Sequence, residues 1–295
     1  MIELKLNLRP LIKKLEIAAR YNTTGEITGE YRALFKGKGL DFEGYRTYNP
    51  TDDASFIDWK ASLRSNDLLV KIMQEERFLK VYLLFDVGNS MLFSSIDKLK
   101  CEYAAELIAS LAFVILHAGD SVGLVMFTDT IVRNIPVNVG QKQYYMILNA
   151  LSNPLLYGGK VHFSNILRSL MNQIKREMSV IIISDFIGLD PEFEGLLKLF
   201  ASKCEISGIM IRDPVDNIFP AERKQVLVQD PFSDRAFVVD PMVVKAEYDK
   251  RAQEQLSYLR GLFMKINSGF LNLNTSQEFV TPVTKFFQER RRRWR

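Results

Sequence analysis

The stretch VYLLFDVGNS (81–90) begins with five consecutive apolar or aromatic residues and ends in short polar and glycine residues. Three later stretches are built in the same way: SVGLVMFTD (121–129), SVIIISDFIG (179–188) and ISGIMIRD (206–213). Runs that are rich in valine and isoleucine and apolar on both faces are typical of central strands in a sheet covered by helices. The four stretches therefore predict the buried strands of an α/β domain.

Segments with a helical spacing of apolar residues lie between these runs. They cover the ranges Lys98–Ala118, Lys142–Leu151, Asn165–Arg176 and Pro191–Lys203. Asp190 and Pro191 form a typical helix start, with the aspartate as the N-cap. The alternation of strands and helices predicts a mostly parallel, doubly wound sheet of the Rossmann type. The short link between Phe127 and Ile131 is an exception, and it predicts a hairpin with one antiparallel edge strand.

The C-terminal part continues the same theme more loosely. VLVQD (226–230) and AFVVD (236–240) flank a turn and predict a small hairpin. A long helix over 243–266, a strand over 269–274 and a final helix over 278–290 are expected to follow.

The first eighty residues do not show this alternation. A helix is predicted near Leu11–Arg20, and a charged, glycine-punctuated stretch follows it, in which LLVKIMQ (68–74) alternates like a strand. We therefore expect a β-rich N-terminal subdomain over residues 1–78 and an α/β domain over residues 79–295.

The composition of the 295 residues, with 47% hydrophobic and 25% charged residues, is that of an ordinary globular protein. The two cysteines, Cys101 and Cys204, stand alone, which favours a reducing compartment and excludes a thiolate zinc site. The two histidines, His117 and His162, are too few for a multi-histidine metal centre.

Charge and hydropathy bear on the expected partners and cellular location of the chain. The net charge is +4, and five arginines in the last six residues supply more than all of it, so no basic nucleic-acid-binding face is expected. The first residues lack the apolar core of a secretory signal. The longest apolar stretch, Leu107–His117, is too short to span a bilayer. A cytoplasmic location is expected.

Acidic residues follow two of the predicted strands. Asp86 ends the first strand, with Ser90 four residues later, and Ser184 and Asp185 end another. Ligands of doubly wound sheets bind outside the carboxyl ends of the strands. Carboxylates and hydroxyls at such an edge suit Mg²⁺, which prefers oxygen ligands and tolerates several waters. Alternatively, each aspartate caps a helix or pairs with a nearby base.

The sequence resembles a known family at these points. An aspartate and serines after the first strand, a hydroxyl residue in a later loop and a distal aspartate are similar to the metal-ion-dependent adhesion site of von Willebrand factor A domains. The stretch 37–71, together with LLFDVGNSM, GDSVGLVMFTD and IIISDF, resembles the successive motifs of the domain of unknown function family number 58. Its most specific string consists of Arg46, Tyr48, Pro50, Asp52, Asp53, Ile57, Asp58 and Trp59.

The resemblance implies a von Willebrand factor A-like fold and a set of metal ligands. Asp86 and Ser90 match the first and last ligand positions, Ser164 matches the loop threonine, and Asp185 matches the distal acid that reaches the ion through water. Gly88 stands where the family of adhesion sites has a serine, so one hydroxyl is missing and a weak Mg²⁺ site is implied. Asp86 is expected at a solvent-facing strand end, and Gly88→Ser is expected to tighten magnesium binding.

The resemblance also implies a function. Proteins of this type are associated with MoxR-type AAA+ ATPases and are thought to act as adaptors in chaperone-like maturation of protein clients. The chain is then a non-enzymatic binding protein, in which a partner's carboxylate completes the coordination of the ion.

Two other functions stay open from the residues alone. A metal-free structural scaffold is favoured by Gly88. A phosphatase of the haloacid dehalogenase type would use Asp86 as nucleophile, but the second aspartate that such enzymes need is replaced by Gly88. His162 lies near Ser164 in the sequence, but no aspartate is evident to orient it for catalysis. In the N-terminal string, a salt-bridged network of Arg46, Asp53, Asp58 and Arg64 is expected instead of catalysis.

Overall fold

A computed structural model describes residues 41–50, 52–65, 67–74, 79–220, 225–229 and 236–293. The chain divides into two compact units, one within Phe35–Leu79 and a larger one that contains Lys80–Arg295. The helix predicted over Leu11–Arg20 lies outside the described residues. The assignment of 1–78 and 79–295 as domains stays a prediction.

The smaller unit holds a two-stranded antiparallel sheet and a short helix. Its elements are β1 (Asp41–Thr47), α1 (Trp59–Ser65) and β2 (Leu69–Gln74). The strand predicted from LLVKIMQ is confirmed as β2. Helix α1 begins directly after Asp58, whose carboxylate accepts the N–H groups of Lys60 and Ala61 and so satisfies the exposed donors of the first turn.

The charged string of the smaller unit pairs differently from the predicted network. Arg46 donates two hydrogen bonds to the carboxylate of Asp52, not of Asp53. Asp53 instead accepts the N–H of Ser55 and caps a 3₁₀ helix. Within the predicted network of Arg46, Asp53, Asp58 and Arg64, Arg46 therefore does not bind Asp53, because its guanidinium donates to both carboxylate oxygens of Asp52 instead.

The larger unit is built on a six-stranded sheet, as the repeated apolar runs predict. Its strands are β3 (Lys80–Asp86), β4 (Ser121–Phe127), β5 (Ile131–Asn138), β6 (Met178–Ser184), β7 (Glu205–Arg212) and β10 (Gly269–Asn274). They lie side by side in the order β10-β7-β6-β3-β4-β5, and all except β5 run parallel. Six consecutive residues of β3 and of β6 are buried, because helices cover the sheet.

Seven helices of the larger unit are described. They are α2 (Lys100–His117), α3 (Gln141–Leu151), α4 (Phe163–Leu170), α5 (Phe193–Ala201), α6 (Pro214–Asn217), α7 (Pro241–Lys265) and α8 (Val280–Arg293). The four helices predicted between the strands are present, as is the predicted pair of long C-terminal helices. None of the helices in the described ranges is long and apolar enough to cross a membrane.

The six predicted helices within the described residues all differ from their predicted bounds by one or more residues, and α4 differs most. Helix α4 ends at Leu170 instead of Arg176, because the chain needs the residues after it to turn into β6 at Met178. Helix α5 begins at Phe193 with Glu192 as its N-cap residue. The predicted capping by Asp190 is present in part, since its carboxylate accepts the N–H of Glu192 at 3.2 Å, although the same carboxylate also binds Ser164 of α4.

The edge strand β5 runs antiparallel to β4, as the short link between them predicts. The pairing shifts register at two points, and Pro136, which has no N–H, lies within β5. The buried side chain of Gln143 donates hydrogen bonds to the carbonyl oxygens of Val122 and Pro136. A side chain thus satisfies backbone groups where the ladder is irregular.

The predicted C-terminal hairpin is confirmed as a separate two-stranded antiparallel sheet of β8 (Val226–Gln229) and β9 (Ala236–Val239). Helix α7 follows it and leads into β10, which pairs with β7. The aromatic ring of Phe263, in α7, packs where any side chain at Gly208 of β7 would lie. This close approach explains the glycine in a strand that otherwise contains three isoleucines.

Candidate functional site

Asp86 and Asp185 lie at the same edge of the sheet. Strands β3 and β6 are neighbours and run parallel, with Phe85 opposite Ile183, so the residues that end them come together. Both carboxylates are 0% exposed. The expectation that Asp86 faces solvent is therefore wrong. We refer to this region, where the parallel strands end, as the carboxyl edge.

Asp86 is held by hydrogen bonds on both of its oxygens. The hydroxyl of Ser184 donates to Oδ2 at 2.6 Å, and the N–H of Gly88 donates to Oδ1 at 2.9 Å. Burial, and then the nearby charge of Asp185, raise the pKa of Asp86 to about 7. The carboxyl group is thus about half protonated near pH 7, where an ordinary aspartate is fully ionised.

Asp185 is paired with a buried lysine. Lys100, the first residue of α2, is 1% exposed, and its Nζ lies 2.9 Å from Asp185 Oδ2 and 2.8 Å from Asp216 Oδ2. Burial alone would lower the pKa of Lys100, but the charges of Asp185 and Asp216 outweigh it and raise that pKa. The lysine is therefore a cation, and it links the ends of β6 and β7 to α2.

A second buried cation lies in the same region. Arg212 ends β7, is buried, and interacts electrostatically with Asp185 and Asp216. Its guanidinium also donates to the side-chain oxygen of Gln255 on α7. Burial lowers the pKa of Arg212, but an arginine keeps its charge under any ordinary condition. Two carboxylates thus lie among two side-chain cations.

Asp213 fixes the loop between β3 and α2. Its carboxylate accepts hydrogen bonds from the N–H and hydroxyl of Ser95 and from the N–H of Val215. Asp216 also accepts the N–H of Asp213 at 3.0 Å. The buried acids of the segment IRDPVD therefore hold loops together at the carboxyl edge.

The backbone after β6 has an unusual conformation. Phe186 has a φ of 52°, in the left-handed region that favours glycine. Ser184 Oγ accepts its N–H at 2.8 Å, and Gln255 donates to its carbonyl oxygen at 2.7 Å. Its buried ring packs edge to face against Phe263. These contacts hold a strained residue in place beside Asp185.

Ser164 binds the carboxylate of Asp190, whereas the resemblance implies that it is a metal ligand. Both its hydroxyl and its N–H donate to Asp190, the N–H at 3.0 Å from Oδ2. Nδ1 of His162 lies 3.5 Å from the same oxygen. Burial alone would raise the pKa of Asp190, but the hydrogen bonds from Ser164 outweigh it and lower that pKa.

Ser90 and Gly88 lie in the turn that follows β3. Ser90 is in a 3₁₀ helix (Asn89–Leu92), and its buried hydroxyl has no hydrogen-bond partner among the described residues. A Cβ atom at Gly88 would lie 2.2 Å from Cγ2 of Val161. The segment that carries Val161 crosses this turn, since the N–H of Gly158 donates to the carbonyl oxygen of Val87 at 2.8 Å. The segment that contains Gly158 and Val161 therefore covers the turn at Gly88.

These residues offer a poor donor set for Mg²⁺, which prefers octahedral oxygen ligands. Asp185 faces an ammonium group, the hydroxyl of Ser164 points to Asp190, and no hydroxyl is present at Gly88. Within the described ranges, no group of three or more histidine, cysteine, aspartate or glutamate side chains is placed to hold a metal ion. The residues do not fit the ion as the resemblance implies, and Mg²⁺ binding by Asp86, Ser90, Ser164 and Asp185 stays a prediction.

The arrangement also lacks the geometry of nucleophilic catalysis. A carboxylate nucleophile must reach its substrate, but Asp86 is fully buried with both oxygens occupied. Asp190 does lie near His162, which the sequence alone did not indicate. The hydroxyl of Ser164, however, donates to Asp190 and not to the imidazole, so the histidine is not placed as its base.

Apolar side chains are exposed in the loops of this edge. Phe93 (45% exposed) and Ile96 lie after β3, and Leu155 (85% exposed) lies before α4. Ile218 (62% exposed) lies after β7. The carboxyl edge therefore buries its acids and presents apolar groups to solvent.

Several residues of the site were not predicted as functional from the sequence, among them Lys100, Asp190, Arg212 and Asp216. Lys100 offered one signal, because a lysine directly before a long apolar helix is unusual at the positive end of the helix dipole. Asp216 lies in the quoted segment IRDPVD, but its partner is 116 positions away.

Known relatives extend over nearly the whole chain. The uncharacterized protein Mb1516 of Mycobacterium bovis (strain ATCC BAA-935 / AF2122/97) is 24% identical over 285 residues, which cover 95% of this chain and 89% of that protein. The uncharacterized protein Rv1480 of Mycobacterium tuberculosis (strain ATCC 25618 / H37Rv) matches with the same figures.

Among solved structures, the conserved hypothetical protein BatB from Bacteroides thetaiotaomicron is 15% identical, with a TM-score of 0.48 over 72% of this chain and 99% of that chain. An aerotolerance-related membrane protein from Bacteroides fragilis NCTC 9343 is also 15% identical, with a TM-score of 0.47 over 73% of this chain and 99% of that one. Residues 44–258, which include the Arg46–Trp59 string and the carboxyl edge, match the family described as protein of unknown function DUF58, and the chain belongs to that family.

Proposed function

We propose that the chain is a non-enzymatic binding protein with a von Willebrand factor A-like α/β domain, whose carboxyl edge contacts a protein partner. The observation that carries the proposal is the contrast at this edge between buried acids that have partners within the protein and exposed apolar side chains. Exposed apolar groups gathered in the loops of a rigid scaffold are typical of protein contact surfaces.

The partner class comes from the resemblance. A MoxR-type AAA+ ATPase is the proposed partner, and chaperone-like maturation of protein clients is the proposed task. The cytoplasm is the proposed location, in keeping with two cysteines that are both free. A nucleic-acid partner is not proposed, because the body of the chain carries nearly equal numbers of basic and acidic residues.

The adhesion-site version of this function needs an ion that a partner's carboxylate completes. Asp86 and Asp185 are both inaccessible at this edge, so a partner's carboxylate has no path to an ion held by them. We therefore propose partner binding through apolar contacts, and not through a bridging Mg²⁺.

Two alternatives are less well supported. The phosphatase alternative requires Asp86 to attack a substrate, and its burial opposes that. The scaffold alternative, in which the protein has no partner, does not account for the exposure of Leu155 and Ile218.

The test is a binding measurement with the purified ATPase from the same source. Leu155→Asp should weaken binding by about tenfold or more, because it places a charge in an apolar contact. The matched control is Leu199→Asp on the flank of α5, where an exposed leucine lies away from the carboxyl edge. Binding should be the same in magnesium and in chelator. The comparison is made with nucleotide-free ATPase, so that chelator does not also change nucleotide binding by the partner.

Equal binding by wild type and Leu155→Asp would remove the carboxyl edge from the contact. Binding that disappears in chelator and in Asp86→Asn would restore the adhesion-site mechanism. If neither the wild-type protein nor any variant binds the ATPase, the scaffold alternative is favoured.

A further inference from the structure

Lys100 stands where local physical chemistry disfavours it. It is the first residue of the 18-residue helix α2, at the end where the helix dipole repels a cation. It is also buried, and the transfer of an ammonium group out of water is costly unless partners satisfy it. A lysine in such a place needs a specific compensating interaction.

The compensation comes from two strand ends that are distant in sequence. Asp185 and Asp216 follow β6 and β7, and each places a carboxylate oxygen within 2.9 Å of Lys100 Nζ. The ring of Phe93 lies beneath the ammonium, with its centroid 5.8 Å from Nζ. Arg212 adds a second buried positive charge next to the same two acids.

We propose that Lys100 is the resident cation of the carboxyl edge and that this edge is independent of divalent metal. The two carboxylates in contact with the Lys100 ammonium are matched in charge by Lys100 and Arg212. A divalent ion at Asp185 would have to displace a buried ammonium that is held by both Asp185 and Asp216. At a metal-ion-dependent adhesion site, a bound ion balances the charge of the acids at the strand ends. Here the ammonium of Lys100 does so for Asp185 and Asp216.

The first test uses the wild-type protein and needs no variant. Calorimetric titration with MgCl₂, and separately with MnCl₂, should show no saturable binding up to about 10 mM. Thermal unfolding in about 10 mM MgCl₂ should match that in chelator, with NaCl added to equal ionic strength. A saturable site tighter than about 1 mM that disappears in Asp86→Asn or Asp185→Asn would overturn the proposal.

The second test removes the cation. In Lys100→Met, Asp185 and Asp216 lose their ammonium partner, and the melting temperature should fall. Mg²⁺ or Mn²⁺ should then restore part of the loss, because a new cation can bind between the acids. The triple variant Lys100→Met, Asp185→Asn, Asp216→Asn should show no such rescue.

The outcomes of the second test are distinct from those of the partner-binding test, because no ATPase is present. A Lys100→Met protein as stable as wild type, or one that no divalent ion stabilises, would show that Lys100 does not substitute for a metal. If Lys100→Met does not fold without metal, its refolding in MnCl₂ supports the proposal, and failure to refold in MnCl₂ counts against it.

Discussion

Val161 fills the space beside Gly88, with Cγ2 placed 2.2 Å from where a Cβ atom at position 88 would lie. The carbonyl oxygen of Gly159 and the carboxylate of Asp86 lie within 3.3 Å of the same point. The glycine is thus required by packing and not by backbone conformation, since its φ of −68° is available to any residue. A valine methyl group thus lies beside the position at which the resemblance implies a hydroxyl.

Gly88→Ser should therefore destabilise the protein and should not create a Mg²⁺ site. Forcing extra atoms into a filled space typically costs about 1–3 kcal/mol. The free energy of unfolding, measured by urea denaturation, should fall by that amount, and magnesium should not restore it. This reverses the expectation from the sequence that a serine here tightens metal binding.

The control for this variant is Gly195→Ser in α5, where nothing lies within 4 Å of the added Cβ. It should be neutral or slightly stabilising, because glycine is a poor helix former. Gly88→Ser combined with Val161→Ala should recover part of the loss. A Gly88→Ser protein that is more stable in magnesium would contradict the packing explanation.

Lys100→Met should be one of the most damaging single substitutions at the carboxyl edge. Removing one partner of a buried ion pair leaves uncompensated charge and typically costs about 3–5 kcal/mol. The matched control is Lys98→Met, which breaks the partly exposed pair of Lys98 with Glu106 and should cost about 0–1 kcal/mol. Denaturant unfolding of both variants compares the two costs, and similar values would mean that the buried pair is not special.

The stability of the protein should depend on pH through Asp86. Burial and the charge of Asp185 raise the pKa of Asp86 from 3.8 to about 7 in the folded chain. The stabilising contribution is complete below the unfolded pKa of 3.8 and is lost as pH rises to about 7, because the folded state alone keeps the proton in that window. Within it, unfolding free energy falls by about 1.4 kcal/mol per pH unit from this group.

Asp86→Asn provides the measurement for this pH effect. The amide keeps the shape of the neutral acid, so the variant should gain stability relative to wild type as pH rises from about 4 to about 7. Urea unfolding of both proteins across this range tests the slope. A difference between the two proteins that does not change with pH would show that Asp86 is not protonated preferentially in the folded state.

The two thiols should be unreactive in the folded protein. Burial, followed by the charges of Glu102 and Glu205, raises the pKa of Cys101 and of Cys204 to about 12. Because the thiolate is the reactive form, alkylation by iodoacetamide near pH 8 should be about a thousandfold slower than in urea. Mass spectrometry of labelled protein follows the reaction, and rapid native labelling at either cysteine would contradict the described burial.

The strands of the sheet could be predicted because their signal is local. A run such as VYLLF (81–85) is apolar on both faces because both faces are covered. Its shortness and the polar and glycine residues that follow it distinguish a central strand from a buried helix. The antiparallel edge strand followed from a short link, because a parallel connection needs a crossover of a dozen or more residues. The end of α4 could not be predicted, since the turn into β6 sets it.

The partners of the site residues could not be predicted in the same way. Asp86 and Asp185 were placed at one edge correctly, because both end parallel strands. The ammonium of Lys100 reaches Asp185 across 85 positions of sequence, and no periodicity records such a pair. Ser164 was expected beside the metal ligands, but Asp190, read as a helix cap, binds it instead. Side-chain pairing depends on how loops cross the sheet, and the covering of Gly88 by Val161 is one example.

The irregular border strand β5 has a consequence for how the molecule associates with other chains. Pro136 removes one backbone donor from this border, and the two register shifts against β4 twist the remaining ones out of an even ladder. A foreign strand that approached from this side would find no continuous template, so sheet extension into fibrils and strand exchange between copies are disfavoured there. The irregular edge at β5 therefore disfavours polymerisation through this strand.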